Sequence, residues 1–97
     1  MIMEFKKLDP ILHSELRLSI MSLLYYLEEA DFTYIKEKTE ATSGNLSVQL
    51  DKLSNVGYIS VEKTFAGKKP RTVCRITPEG KKAFEDYVDA LKSYIGK

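Results

Sequence analysis

The chain has 97 residues, 43% of them hydrophobic and 30% charged, which is enough for one small domain with one core and little room for a deep enclosed pocket. Its formal net charge is only +1, and no apolar run approaches the ~18 residues that a membrane span needs. A single cysteine, Cys74, and a single histidine, His13, exclude an internal disulfide framework and a one-chain zinc site with three or four Cys/His ligands.

The start, Met1-Ile2-Met3-Glu4-Phe5-Lys6-Lys7, mixes acid with base and does not read as a signal peptide, and Met3 is an alternative first residue. A cytoplasmic location is the default expectation. The first predicted helix runs from about Pro10 to Glu28, with Asp9 as N-cap and Pro10 at the first helical position. A second start at Ser14-Glu15 would make its first turn separate. Leu12, Leu16, Ile20, Leu23 and Leu27 form a core stripe at helical spacing. A second stripe, Ile11, Leu18, Met21 and Tyr25, calls for another partner, either a second subunit or the last helix of the same chain.

Glu28-Glu29-Ala30-Asp31 breaks the pattern, and Thr33 reads as N-cap of a short helix from Tyr34 to about Thr39 with Ile35 inward. After the turn Glu40-Ala41, Thr42 or Ser43 caps a helix running to about Val56, with Leu46, Leu50 and Leu53 inward and Gly57 as the stop. From Tyr58 the period becomes two. Tyr58 to Phe65 and Arg71 to Thr77 read as the strands of a hairpin, with Ala66-Gly67-Lys68-Lys69-Pro70 as its turn. On the returning strand, alternation puts Cys74 and Ile76 on one side and Val73 and Arg75 on the other. Thr77-Pro78-Glu79-Gly80 then opens a last helix to about residue 95, with Phe84, Tyr87, Val88, Leu91, Tyr94 and Ile95 on one face.

The small net charge conceals an uneven distribution. Residues 1–62 carry 6 Lys/Arg against 10 Asp/Glu, a balance of −4, and residues 63–97 carry 9 against 4, a balance of +5. Within 63–82, Lys63, Lys68, Lys69, Arg71, Arg75, Lys81 and Lys82 face only Glu79. Such a basic block fits either a polyanionic partner or a solvated loop. The order α-α-α-β-β-α, mainly α with a β-hairpin, is a winged helix-turn-helix pattern. The helix-turn-helix spans about 33–56 and the wing about 58–77, and flanking helices at about 10–28 and 78–95 are expected to form the dimer contact.

Four segments carry a resemblance to a known group: residues 8–20, Asp31-Phe32-Thr33-Tyr34-Ile35, residues 43–53 leading into Val56-Gly57-Tyr58-Ile59, and Ile76-Thr77-Pro78-Glu79-Gly80-Lys81. In this order they resemble the small single-domain MarR-like/ArsR-like winged helix transcriptional regulators of bacteria and archaea. That resemblance implies a homodimeric, sequence-specific binder of double-stranded DNA, acting as a repressor. One helix would lie in the major groove, and the wing would lie on phosphate or in the minor groove. Many relatives carry histidine where this chain has Gln49, and Asp51 places an acid beside the expected DNA face.

On the helix after the tight turn, Ser43, Asn45 and Ser47 are short hydrogen-bonding groups, and Lys52 is long enough for a phosphate. Val48 suits a thymine methyl, and Gln49 suits bidentate pairing with adenine. Capping accounts for at least one of Thr42, Ser43 and Asn45. Asp51 has Lys52, Asn55, Lys36 and Lys38 as possible partners. In the wing, Lys63, Lys68, Lys69 and Arg71 are placed for the DNA backbone, and Arg75, nearer the base, suits an acid of the first half. The expected dimer surface is Ile11, Leu18, Met21, Tyr25, Phe84, Tyr87, Leu91 and Tyr94.

Enzyme chemistry finds no support in the sequence. There is no glycine-rich phosphate loop, and His13 lies early in an apolar helix, where a structural role is expected. Glu28-Glu29 and Asp86/Asp89 read as solvated charge. Cys74 reads as a small core residue, against the alternative of a thiol sensor. No cofactor, metal or membrane partner is implied. A small-molecule effector lined by Tyr25, Tyr26, Tyr87 and Tyr94 lacks a supporting motif. The alternative function is a winged-helix protein-interaction module without specific DNA binding.

Overall fold

The computed structural model describes residues 4–96, so Met1 to Met3, the stretch read above as the start, and Lys97 lie outside the described residues. Four helices and three strands follow in chain order: α1 (Glu15–Leu27), β1 (Glu29–Asp31), α2 (Phe32–Thr39), α3 (Ser43–Asn55), β2 (Ile59–Ala66), β3 (Lys69–Ile76) and α4 (Pro78–Lys92). None of these helices is long and apolar enough to cross a membrane. The predicted order holds, with a short strand added between the first two helices.

α1 begins at the later of its two possible starts. The Ser14 side chain accepts from the Arg17 backbone N–H, while Pro10 to Leu12 form a separate turn closed by the Leu12 and His13 backbone N–H groups on the Asp9 carbonyl. The Asp9 side chain caps only that turn, accepting from the Ile11 N–H at 2.8 Å. α2 also starts earlier than predicted. Asp31 is its N-cap and accepts from the Tyr34 N–H at 2.8 Å, so Phe32 and Thr33 are already helical. Glu40 takes the left-handed conformation (φ 56°) that turns α2 sharply into α3.

The sheet is antiparallel in the order β1-β3-β2, which makes β3 the centre. Glu29 pairs with Arg75 and Asp31 with Val73 on one side, and Ile59 pairs with Ile76 through to Ala66 with Lys69 on the other. The hairpin turn is therefore only Gly67-Lys68, shorter than the five residues predicted, with Gly67 at φ 66°. Central placement also changes the expected alternation. Cys74 is in the core as predicted, but Val73 is buried too, flanked across the strands by Asp31 and Glu62 and outside the main core cluster.

That cluster joins Leu12, Ile20, Met21 and Leu24 to Ile35, to Leu46, Leu50 and Leu53, and to Ile59, Cys74 and Tyr87. It corrects the two-stripe division of α1. The buried residues of α1 are Ile20 from the first predicted stripe, Met21 from the second and Leu24 from neither, while Leu27 is exposed. Met21 is covered within its own chain. Tyr25 stacks on Phe84 of α4 at 4.9 Å and donates to Glu85. Tyr87 is also in the core, with its hydroxyl 2.9 Å from His13 Nδ1. Met21 and Tyr87 are thus core residues of one protomer and not the dimer surface expected of them. α4 ends at Lys92, short of the predicted residue 95, and its exposed apolar residues are Val88 and Leu91, followed by Tyr94 and Ile95 in the turn beyond it.

α4 is fixed at its first turn. The Thr77 hydroxyl accepts from the Gly80 N–H at 2.9 Å and donates to the Gly57 carbonyl at 2.6 Å, while the Thr77 N–H donates to the Tyr58 carbonyl. At the far end Lys6 ties the N-terminal segment to the helix, through Asp89 at 2.6 Å and the Ser93 hydroxyl at 3.1 Å.

Candidate nucleic-acid interface

α3 presents one face to the core and the other to solvent because Leu46, Leu50 and Leu53 return every third or fourth residue. Thr42 caps it, its hydroxyl accepting from the Asn45 N–H at 3.2 Å, which leaves the Ser43 and Asn45 side chains outside the capping role. Ser43, Asn45, Ser47, Val48 and Lys52 are all exposed, so these five predicted contacts share one outward surface. Gln49 is different. It is half-buried, receiving the Arg17 guanidinium on its Oε1 and donating from Nε2 to Asn45 Oδ1 at 2.9 Å. A side chain held at both ends is not free for the bidentate adenine pairing expected of it.

The wing stands beside α3. Between them runs a cleft of about 390 Å³ lined by Ser47, Leu50 and Asp51 of α3, Val61, Lys63 and Thr72 of the hairpin, and Phe32. Asp51 and Lys63 face this cleft without forming an ion pair, and Asp51 pairs with none of the lysines suggested for it. Lys63, Lys68 and Lys69 have no carboxylate partner among the described residues, and neither has Lys52. Arg71 is already engaged, with its Nε 3.3 Å from Asp31. Arg75 pairs with Glu29 at 3.0 Å and Glu62 at 2.9 Å, as its place near the wing base suggested. The wing's unpaired charge is thus concentrated in three lysines.

Two residues of this surface escaped the sequence reading. Arg17 lies on α1, far in sequence from the helix it supports, and no local motif marks it. Phe65 pairs in register with Pro70 near the wing tip and is 69% exposed, although strand alternation alone gives no reason for an aromatic there. The predicted effector tyrosines do not converge. Tyr25 and Tyr87 line different clefts, and Tyr26 is almost fully exposed. Cys74 is buried, and desolvation raises its thiol to about 11, with Asp31 adding to the shift. Of the carboxylates set aside as solvated charge, Glu28, Asp86 and Asp89 pair with lysines and Glu29 with Arg75.

Residues 16–95 match the family described as winged helix DNA-binding domain. The chain belongs to this family. Its β2–β3 hairpin is the wing of a winged helix fold, and α3 is the helix that precedes it. The family is a DNA-binding one and not a catalytic one. The protein is 38% identical over 78 residues to an uncharacterized protein of Methanocaldococcus jannaschii, covering 80% of this chain and 85% of that one. Its structure is similar to that of a transcriptional regulator homologue from Pyrococcus horikoshii OT3. The TM-score is 0.83 at 32% identity, over 89% of this chain and 85% of the other. The fold is also shared with Bacillus subtilis PadR in complex with operator DNA, with a TM-score of 0.69 at 23% identity, over 77% of this winged helix chain and 47% of PadR.

Proposed function

We propose that the protein is a transcriptional repressor that binds a pseudo-palindromic duplex site as a homodimer. Recognition helix α3 would lie in the major groove and the wing on the flanking backbone. The observation that carries this reading is that Ser47 of the exposed α3 face and Lys63 of the wing line one cleft, while Lys63, Lys68 and Lys69 of the same hairpin have no carboxylate partner among the described residues. Ser43, Asn45, Ser47 and Val48 would face base edges and phosphates, and Lys52, Lys63, Lys68 and Lys69 would neutralise phosphate. Arg71 joins them on giving up part of its contact with Asp31. Support for a dimer comes from the exposed Val88 and Leu91 on α4, Tyr94 and Ile95 just past its end, and Tyr26 and Leu27 at the end of α1. Tyr25 and Phe84 line a cleft with Val88 as half-buried residues, whereas Leu18 faces the α2 side of α1 and Ile11 packs half-buried against the core.

The test is fluorescence anisotropy on duplexes selected from a random pool, between 50 and 200 mM salt. Four lysines per protomer give about eight phosphate contacts per dimer, so affinity should fall by roughly 10³–10⁵ over that range. Lys68→Ala/Lys69→Ala should weaken binding to every duplex alike and flatten the salt slope. Sedimentation at micromolar concentration should return a dimer, and Leu91→Asp/Tyr94→Asp a monomer. Salt-independent binding, or no binding to any duplex, would instead support a protein-interaction module.

A further inference from the structure

Arg17 is a half-buried guanidinium with no carboxylate partner among the described residues. Neutral acceptors hold it. Its Nε donates to the Ile11 carbonyl at 2.6 Å, and one terminal nitrogen donates to Gln49 Oε1. This fixes a sequence of orientations. A guanidinium only donates, so Gln49 must turn its carbonyl to Arg17 and its amide nitrogen away. That nitrogen meets Asn45 at 2.9 Å, and it can do so only if Asn45 offers its own carbonyl. The Asn45 amide nitrogen is then the end left free at the first turn of α3, on an exposed residue.

We propose that Arg17, acting through Gln49, holds Asn45 as a hydrogen-bond donor to DNA, so that the base facing Asn45 is one with an acceptor edge in the major groove. Guanine, with the two acceptors O6 and N7, fits best, and thymine, with O4, comes next, whereas adenine sets its own N6 donor beside N7 and opposes a donor-only group. The bidentate pairing of asparagine with adenine needs carbonyl and amide turned outward together, which would break the link to Gln49. Arg17 is a positioning residue here. It lies on α1 and sets the polarity of a group on α3 that it does not touch. The inference rests on the DNA-binding reading above, and its test separates the two.

The first arm needs no DNA. Side-chain amide resonances of Gln49 and Asn45 are followed in the ¹⁵N-labelled full chain. Arg17→Met should shift both pairs, including that of Asn45, which is reached only through Gln49, and Arg17→Lys should restore part of the shift. Gln49→Met, which severs the relay at its middle, should reproduce the Asn45 change should Arg17→Met fail to fold. An unmoved Asn45 resonance in these variants overturns the relay. The second arm is duplex selection. Asn45→Ala identifies the position that Asn45 reads, and wild type should prefer guanine or thymine there by about 5-fold, the low end of what a base contact gives. Arg17→Met and Gln49→Met should relax that position alone. Adenine at that position would overturn the assignment. Failure of the wild type to bind any duplex would overturn the base assignment together with the DNA reading, and the first arm would still judge the relay.

Discussion

Gly80 occupies a position where a side chain has no room. A Cβ built there would lie 2.1 Å from the Tyr58 carbonyl oxygen and 2.9 Å from its carbon, both backbone atoms that cannot swing aside. The Tyr58 carbonyl is already held by the Thr77 N–H, so neither partner can retreat without opening the joint between α4 and the sheet. Alanine within a helix normally gains up to ~1 kcal/mol over glycine. Here the clash should reverse the sign, and Gly80→Ala should cost about 1–3 kcal/mol, read as a lower urea midpoint. Gly44 provides the contrast. Nothing lies within 4 Å of a Cβ built on it, so Gly44→Ala should leave stability equal or higher. The sequence marked Gly80 as part of a four-residue signature, but its reason is a carbonyl 22 residues earlier in the chain, which no local pattern contains.

At the scale of elements, what was legible followed the source of each signal. α3 was predicted almost to the residue because its leucines, its Thr42 cap and the Gly57 stop all lie within the helix or next to it. The hairpin and the start of α4 were legible for the same reason. β1 was not. Three residues, Glu29-Ala30-Asp31, contain no strand-forming run and become a strand only because β3 offers a free edge. The division of α1 into two faces held only in part, since Ile20 and Met21, one from each stripe, share the core with Leu24, whereas Tyr25 packs on Phe84 of α4, the same-chain partner that the sequence had left open. On the exposed face of α3, Ser43, Asn45, Ser47, Val48 and Lys52 were recognised from helical geometry. Gln49 was misjudged because its partner Arg17 is 32 residues away. One cap joins several of these elements. Thr77→Ala removes both the acceptor for Gly80 and the donor to Gly57, and should cost about 1–2 kcal/mol, whereas Thr77→Ser keeps the hydroxyl and should recover most of it. Chemical denaturation of the two variants makes the comparison.

For the molecule as a whole, two buried or half-buried acids place the stability limit on the alkaline side. Burial raises the Cys74 thiol from 9.0 to about 11, and the hydrogen bond to Asp9, with burial and nearby carboxylates, raises the Tyr58 phenol from 10.0 to about 12. Both groups stay protonated in the folded chain at pH values where the unfolded chain loses its protons. The stabilisation is therefore complete below pH 9, and is lost from pH 9 to 11 for Cys74 and from pH 10 to 12 for Tyr58. Urea midpoints should be level from neutral pH to 9 and then fall, and Cys74→Ala should flatten the first part of that fall. A rise of two units leaves about a hundredfold less thiolate at neutral pH. Thiol reagents should accordingly label Cys74 only as fast as the protein opens. Rapid labelling of the native protein would restore the sensor reading.

The wing is braced along only part of its length. β1 flanks β3 from Val73 to Arg75, and from Thr72 to the Gly67-Lys68 turn the hairpin continues as two strands alone. Arg71 and Asp31 pair where the bracing ends. This is a cantilever with a clamped root, in a molecule 61 Å long and only 25 by 21 Å across. Bending is expected to concentrate in the outer half, the half that carries Phe65, Lys68 and Lys69. A two-stranded ribbon also twists more readily than a wider sheet. The root can therefore keep register with the recognition helix while the tip yields to grooves of different width, and amide exchange should quicken stepwise beyond Thr72 instead of fading evenly along the strand.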